Sequence, residues 1–204
     1  MRILNYIPCK TNSRRIPQKN VKLYCGKRLV DYSIDYANAT SNKTLVSTDD
    51  ASLLSSFDVE HTHLRKPAEA DAELTNLQVM QIIFGNEIYS NFDYICLLLP
   101  THPLRSDILY EKMVNKISGK YFGEVLISSF SKTYKIHETK FEMNMIEGSI
   151  YMLPLSFLNS GRLLTDRFWH MPIGESVSFN IDGFEDEKNF ISYLKSKESG
   201  LEGA

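Results

Sequence analysis

The chain has 204 residues, 43% of them apolar and 24% charged, and a net charge of −2. This balance suits one globular domain with a sizeable core and excludes a disordered chain. It also excludes a molecule whose overall charge would coat nucleic acid or an anionic membrane, so any bound anion must be held by a local cluster of cations.

Taken in chain order, "ILNYIP" (3–8) reads as a buried strand and "RLVDYSIDYANAT" (28–40) as a helix with Leu29, Tyr32, Ile34, Tyr36 and Ala37 near one face. "TLVST" (44–48) is a second strand and "DVEHTHLR" (58–65) an alternating third. "ELTNLQVMQIIFGNEIY" (73–89) has helical spacing. "YICLLLP" (94–100) is continuously apolar and too short for a lone helix, so it reads as a central strand. "SDILYEKMVNKIS" (106–118) opens with a Ser-Asp cap and is helical. "GEVLISSFS" (123–131), "GSIYMLPL" (148–155) and "VSFNID" (177–182) read as strands. "EDEKNFISYLKSK" (185–197) is an acidic-to-basic helix that suits the macrodipole.

Alternating strands and helices predict an α/β layer fold with a largely parallel sheet, as a single domain over 1–200. In such sheets ligands bind beyond the carboxyl ends of the strands. The residues there are Cys9–Asn20, Asp49-Asp50, Arg65-Lys66-Pro67, Pro100–Arg105 and Asp182, the most distinctive polar residues of the chain. Lys10, Arg14, Arg15, Lys19, Lys22, Lys27 and Arg28 are seven of its 23 Lys and Arg, packed into nineteen residues, and the first acid is Asp31. A loop of one sign after a strand is a seat for a polyphosphate. Lysine supplies point charge, arginine a bidentate fork, and Ser13 and backbone N–H groups neutral donors. The loop lacks glycine, so it is neither a P-loop nor a GxGxxG turn. A basic surface loop without a ligand is the competing reading.

The run C-K-x-x-S-R-x-I-x-x-K-N (9–20), followed by Gly26-Lys27-Arg28-Leu29, resembles the signature A-R-x-x-S-K-x-(I/L)-x-x-K-N and G-K-x-L of the cytidylyltransferases that activate acylneuraminate and related nonulosonic acids. Ser13, Ile16, Lys19 and Asn20 match outright, while Lys10 and Arg14 exchange Arg and Lys with charge kept. Further blocks follow in the same order. "LVSTDD" (45–50) is similar to I-V-S-T-D, "LRKPAEAD" (64–71) to L-R-P-A-E-L-x-x-D, and "LLLPTHPLRS" (97–106) to L-L-Q-P-T-S-P-L-R. "EGSIYMLP" (147–154) is similar to N-G-A-I-Y and "NIDGFEDEKNF" (180–190) to D-I-D-T-E-x-D.

The resemblance implies a three-layer, Rossmann-like nucleotidyltransferase (GT-A-like) fold with a mixed, mostly parallel sheet. It implies transfer of CMP from CTP to an acidic sugar with release of pyrophosphate. Lys10, Arg14 and Lys19 would act on the triphosphate. Ser13, Asn20, Asp49, Lys66, Thr101 and Arg105 would line the nucleotide site. Asp182 and Asn180 would hold Mg²⁺, as residues i and i+2 on one strand face. Asp49 reads either as a further carboxylate or as an N-cap, and Arg105 either as a site residue or as a structural ion pair. The implied partners are CTP, a small acidic acceptor and a second copy of the chain in a homodimer, with no nucleic acid and no membrane.

Several residues depart from the family pattern. Asn180 replaces the first carboxylate, Leu99 the acceptor-side Gln, and His102 a small residue, which crowds the pocket and adds a titratable group there. The dimerisation arm near 130–147 is short, and Lys132, Lys135 and Lys140 are its only cations, with Arg162 and Arg167 following later. These departures favour as alternatives a non-nonulosonate acceptor such as a phosphonate or organic phosphate, or a catalytically weak nucleotide-binding protein. His61 and His63 share a strand face without a visible third metal ligand, and Phe168, Trp169 and Met171 read as core or interface. Cys9, Cys25 and Cys96 fit neither zinc nor CxxC spacing and read as structural thiols. No apolar run reaches the roughly 18 residues of a membrane span, and no leader pattern is visible, so a cytoplasmic location is expected.

Overall fold

The computed structural model describes residues 1–13, 15–70, 73–85, 87–118, 124–136, 139–160, 168–173 and 178–199, with backbone alone for 131–136 and 139–144. Its elements are β1 (Ile3–Cys9), β2 (Leu23–Tyr24), β3 (Lys27–Arg28), α1 (Leu29–Asn38), β4 (Lys43–Thr48), β5 (His61–Leu64) and α2 (Asn76–Phe84). Then follow β6 (Tyr94–Leu98), α3 (Asp107–Ser118), β7 (Val125–Ile136), β8 (Thr139–Pro154), α4 (Leu155–Asn159), β9 (Phe168–Pro172) and α5 (Phe184–Glu198). Short 3₁₀ turns occupy Ala51–Ser56 and Glu87–Tyr89.

Seven strands form one sheet in the order β5-β4-β1-β6-β8-β7-β9. β5, β4, β1 and β6 are parallel, β8 is antiparallel to both β6 and β7, and β9 is parallel to β7. The continuously apolar β6 is the central strand, as its sequence predicts. Both faces are covered, which makes three layers. Val30, Ile34 and Ala37 of α1 and Leu109 and Met113 of α3 pack with Ile3, Ile7, Val46 and Cys96 on one face. Val79, Met80 and Ile83 of α2 and Phe157 and Leu158 of α4 pack with Leu4, Tyr6, Leu45 and Leu97 on the other. Beyond Ser129 and Ile146, β7 and β8 leave the sheet and pair only with each other, out to Ile136 and Thr139.

A smaller third cluster holds the site together. Ile16, Tyr24, Leu29, Ile181 and Phe190 are buried against one another, so one apolar patch joins the basic loop, the start of α1, the segment before α5, and α5 itself. The chain turns between β2 and β3 at Cys25 and Gly26, both with positive φ (48° and 84°). Two such residues suit a tight hairpin, and the non-glycine Cys25 hides it from a sequence reading. β9 and the five-residue α4 were likewise not anticipated.

Several boundaries differ from expectation: β8 begins at Thr139 rather than 148, β7 runs on to Ile136 rather than 131, and β5 is confined to His61–Leu64. The helix expected over 73–89 runs only from Asn76 to Phe84. The Thr75 hydroxyl caps it by accepting from the Gln78 N–H at 3.2 Å while the Gln78 side-chain Oε1 accepts from the Thr75 N–H at 2.9 Å. The strand expected over 177–182 is not formed across the described residues 178–182. The central strand β6 already has β1 and β8 on its two sides, so this segment crosses the carboxyl ends of the strands and makes a single backbone bond there, from the Ile181 N–H to the Thr101 carbonyl at 2.8 Å.

Phe190→Ala should cost roughly 3–5 kcal/mol in urea unfolding, because the ring is fully buried in the smallest cluster.

Candidate active site at the carboxyl ends of the strands

A cavity of about 280 Å³ opens beyond the carboxyl ends of β1 and β6. Lys10, Asn20, Arg65, Asn76, Thr101 and Asp182 give it polar walls, and Leu74, Val79 and Leu99 an apolar side. Hollows of about 570, 790 and 410 Å³ elsewhere have no Lys or Arg in their walls, and one of about 480 Å³ has Lys43 alone, with Glu60 beside it, so they suit a polyanion less well.

The basic loop is folded onto its surroundings by its own polar groups. The Asp49 carboxylate accepts from the Thr11 N–H at 2.7 Å and the Thr11 hydroxyl at 3.0 Å. Asp49 therefore fastens the loop to the end of β4, and the capping role falls to its neighbour: the Asp50 carboxylate accepts from the Ser52 N–H at 2.9 Å. The Asn20 amide donates to the Lys10 carbonyl at 2.9 Å. Its own carbonyl oxygen is buried in the cavity wall with no partner among the described residues, which leaves an acceptor ready for a ligand hydroxyl or amine. Ser13 is half-buried and outside the cavity wall, with its N–H on the Thr11 carbonyl at 2.9 Å. Arg14 lies outside the described residues.

Lys19 does not line the cavity. It is buried, donates to the Ile181 carbonyl at 2.7 Å and stands 3.6 Å from the Asp182 carboxylate. Burial, then the neighbouring Arg15, lowers the pKa of its ammonium, against the opposing pull of Asp186. Asp182 also pairs with Arg15. It is the one member of the expected metal pair in the cavity wall. Asn180 is exposed and outside that wall, and without a strand the i, i+2 argument for a shared ligand face does not hold.

Two residues expected at the nucleotide site, Lys66 and Arg105, lie outside the cavity wall. Lys66 is exposed, and the cation in the wall is Arg65. Arg65 is buried, donates from Nε to the Ser47 hydroxyl at 2.9 Å, and has no ion pair among the described residues. The matching "LR" of "LRKPAEAD" carried that signal, but the inserted Lys66 beside the proline drew the assignment away. Arg105 is half-buried beneath the turn and is not in the cavity wall. Its guanidinium donates to the Leu99 carbonyl at 2.5 Å, the Ser149 carbonyl at 2.9 Å and the Ser33 hydroxyl at 3.2 Å. These bonds replace the structural ion pair considered above. Burial pushes its pKa down to about 10.

Thr101 keeps its expected place in the wall. Beside it His102 is buried, with Nε2 2.9 Å from the Glu147 carbonyl and Nδ1 3.3 Å from the Thr101 hydroxyl. Burial pushes this imidazole down to about 4, against the upward pull of Glu147. The Glu147 carboxylate, missed in the sequence, accepts from the Ser128, Ser149 and Ser178 groups described below.

Among the described residues no group of three His, Cys, Asp or Glu side chains could hold a metal ion. His63 instead meets Glu69 at 2.8 Å. Cys9 and Cys96 are buried and Cys25 exposed, all free thiols. Trp169 is half-exposed and donates to the Glu124 carboxylate at 2.5 Å. Side chains of Lys132, Lys135 and Lys140, and all of Arg162 and Arg167, lie outside the described residues. No helix among the described residues is long and apolar enough to cross a membrane.

The sequence model of the family described as cytidylyltransferase matches residues 6–117, more than half of the chain. The pseudaminic acid cytidylyltransferase of Campylobacter jejuni (serotype O:2) is 30% identical over 60% of this chain and 58% of its own length. The CMP-N,N'-diacetyllegionaminic acid synthase of Legionella pneumophila is 32% identical over 59% and 56%. The chain thus spans less than three fifths of the length of these curated relatives. Among solved structures, a CMP:2-keto-3-deoxy-manno-octonic acid synthetase complexed with CTP superposes with a TM-score of 0.74, covering 97% of this chain and 100% of its own at 11% identity. A cytidylyltransferase from Leptospira borgpetersenii superposes at 0.63, covering 98% and 96% at 16% identity. These two structures show that the fold is shared.

The lowered imidazole pKa has a direct consequence for stability. A histidine with a folded pKa near 4 and an unfolded one near 6.5 contributes fully above pH 6.5 and loses its contribution as pH falls to 4. Urea midpoints should fall across that window by an amount equivalent to roughly 3 kcal/mol, and the fall should be much smaller in His102→Asn.

Proposed function

The chain belongs to the cytidylyltransferase family, and on that premise we propose that it transfers CMP from CTP to an acidic sugar of the nonulosonate type, releasing pyrophosphate. The observation that carries this reading is the cavity in which Lys10 and Arg65 meet beyond the ends of β1 and β5. Relatives named for pseudaminic and legionaminic acid support an acidic sugar as acceptor.

In this reading Lys10 and Arg65 neutralise the triphosphate, with Arg14 and Ser13 contributed by the same loop. Asn20 and Thr101 offer hydrogen bonds to the nucleotide. An acceptor oxygen bonds to the α-phosphorus in line as the bond to the bridging oxygen breaks, and the pair of electrons leaves with pyrophosphate. The protein's part is positioning and charge stabilisation. Lys19 contributes indirectly, by fixing Asp182 through the Ile181 carbonyl.

A divalent cation such as Mg²⁺ fits this arrangement through Asp182. That carboxylate is at the cavity wall and 53% exposed, and magnesium is held by one or two carboxylates together with substrate phosphates. Arg15, 65% exposed, is the partner that must give way. Bound there, the cation would neutralise charge on the phosphates.

A second reading keeps CTP but changes the acceptor to a phosphonate or an organic phosphate. Leu99 in the cavity wall favours it, since this side chain offers a sugar no hydrogen bond. A homodimer, if formed, would use the hairpin of β7 and β8 that leaves the sheet.

Pyrophosphate release from CTP with Mg²⁺ and a panel of nonulosonic acids, phosphonates and phosphates separates the two. Turnover with a nonulosonic acid is expected, and turnover only with the phosphorus acids would replace the first reading by the second. Arg65→Ala should weaken CTP binding at least tenfold, as the loss of a charge-assisted bond predicts. Lys66→Ala should stay within about twofold of wild type by calorimetry.

A further inference from the structure

Asp182 sits on a segment that no ladder holds. Residues 178–182 are attached to the rest of the fold by the packing of Phe179 and Ile181 on Phe190, by the pair of Asp182 with Arg15, by the Asp182 N–H donating to the Asp186 carboxylate, and by three further hydrogen bonds, each to a different element. The Ile181 N–H donates to the Thr101 carbonyl at 2.8 Å, the Lys19 ammonium donates to the Ile181 carbonyl at 2.7 Å, and the Ser178 hydroxyl donates to Glu147 Oε1 at 2.5 Å. The first two belong to elements already assigned to the site. The third does not.

Glu147 is built to make that third bond. It precedes Gly148, whose φ of 80° lies where β8 carries the extra residues of its register shift against β7. A Cβ at Gly148 would come within 2.8 Å of the Tyr151 hydroxyl, so the position is reserved for glycine. The other carboxylate oxygen, Oε2, accepts from the Ser128 hydroxyl at 2.7 Å and the Ser149 N–H at 2.9 Å. With two donors on Oε2, the side chain is oriented and Oε1 faces Ser178. The Glu147 carbonyl meets His102, next to Thr101, so the first and third attachment points are themselves joined.

The charges follow the same pattern. In "NIDG" an amide, Asn180, stands where the motif quoted above has a carboxylate, and in "EGSIY" a carboxylate, Glu147, stands where it has an amide. One acid is missing near Asp182 and one is added in β8, and Ser178 links the two places.

We propose that Glu147 is a positioning residue: through Ser178 it fixes the segment carrying Asp182, so that this carboxylate stays at the cavity wall. The role of Asp182 toward a cation rests on the function proposed above, but the tether does not. Glutamine at 147 can keep the bond, because its oxygen accepts from Ser128 and Ser149 while its amide donates to the Ser178 oxygen. Alanine cannot.

The test uses Glu147→Ala, Glu147→Gln and Ser178→Ala, the last at an exposed position that leaves folding intact. Hydrogen exchange of a peptide covering 178–184, without any ligand, should be at least tenfold faster in Glu147→Ala and Ser178→Ala and near wild type in Glu147→Gln. Calorimetry with CTP should then give metal-free affinities within about twofold of wild type, with the added tightening by Mg²⁺ reduced about tenfold in the two broken variants and restored in Glu147→Gln. Unchanged exchange in Ser178→Ala overturns the proposal, as does a Glu147→Gln variant that exchanges as fast as Glu147→Ala. If wild type binds no CTP while exchange responds as expected, the proposed function fails and the tether stands.

Discussion

The site depends on one constraint: a loop rich in cations must lie against a folded domain without its charge driving it away. Two contacts meet that constraint together. Ile16, inside the loop, is buried with Ile181 and Phe190, so the loop has an apolar anchor of its own. Three residues further on, Lys19 is buried but accepted by the Ile181 carbonyl with Asp182 close by. Burying a cation unpaired would cost several kcal/mol. Here a carbonyl dipole and a carboxylate receive it, and the same Ile181 supplies both the apolar contact and the carbonyl. The basic loop and the acidic segment therefore form one unit.

Around that unit the polar groups divide into those that hold the scaffold and those that face the cavity. Arg105, His102, Glu147 and Asp49 are taken up by carbonyls, hydroxyls and N–H groups of the protein itself. Arg65 and the Asn20 carbonyl oxygen have bonding capacity left for a ligand among the described residues. The distinction is one of geometry. An arginine beneath a turn finds carbonyls that the turn leaves unpaired, whereas the arginine at the end of the edge strand β5 bonds, among the side chains of the described residues, to serine and tyrosine hydroxyls and has donors to spare.

This division also explains what was legible in the sequence. Periodicity located the strands β1, β4 and β6 and the helices α1, α3 and α5, because each buries one face or two on a single sheet, and that leaves a mark on the residues themselves. The carboxyl-end rule points to the loops around this cavity, where Lys10, Asn20, Thr101 and Asp182 line the wall. What the chain does not write locally is which way a side chain turns once its loop is packed. Lys66 and Arg65 are neighbours in sequence, yet only one points inward. Arg105 reads as a site residue until the carbonyls of Leu99 and Ser149 are placed around it. The segment 178–182 has the apolar alternation of a strand, but β1 and β8 already flank the strand it would join. Glu147 left no signal except as a mismatch to a motif, since its partners lie nineteen residues before it and thirty-one after.

The third cluster carries a consequence for how the protein comes into being. The loop around Ile16 is synthesised well before Phe190 of α5, which closes the cluster around it. The Lys22–Glu187 ion pair spans the same interval. A nascent chain can lay down β1, β4 and β6 side by side well before then and still have no finished cavity at their carboxyl ends. Assembly of the cavity is thereby tied to synthesis of α5, and a product truncated before α5 would retain much of the sheet while lacking the contacts that shape that cavity.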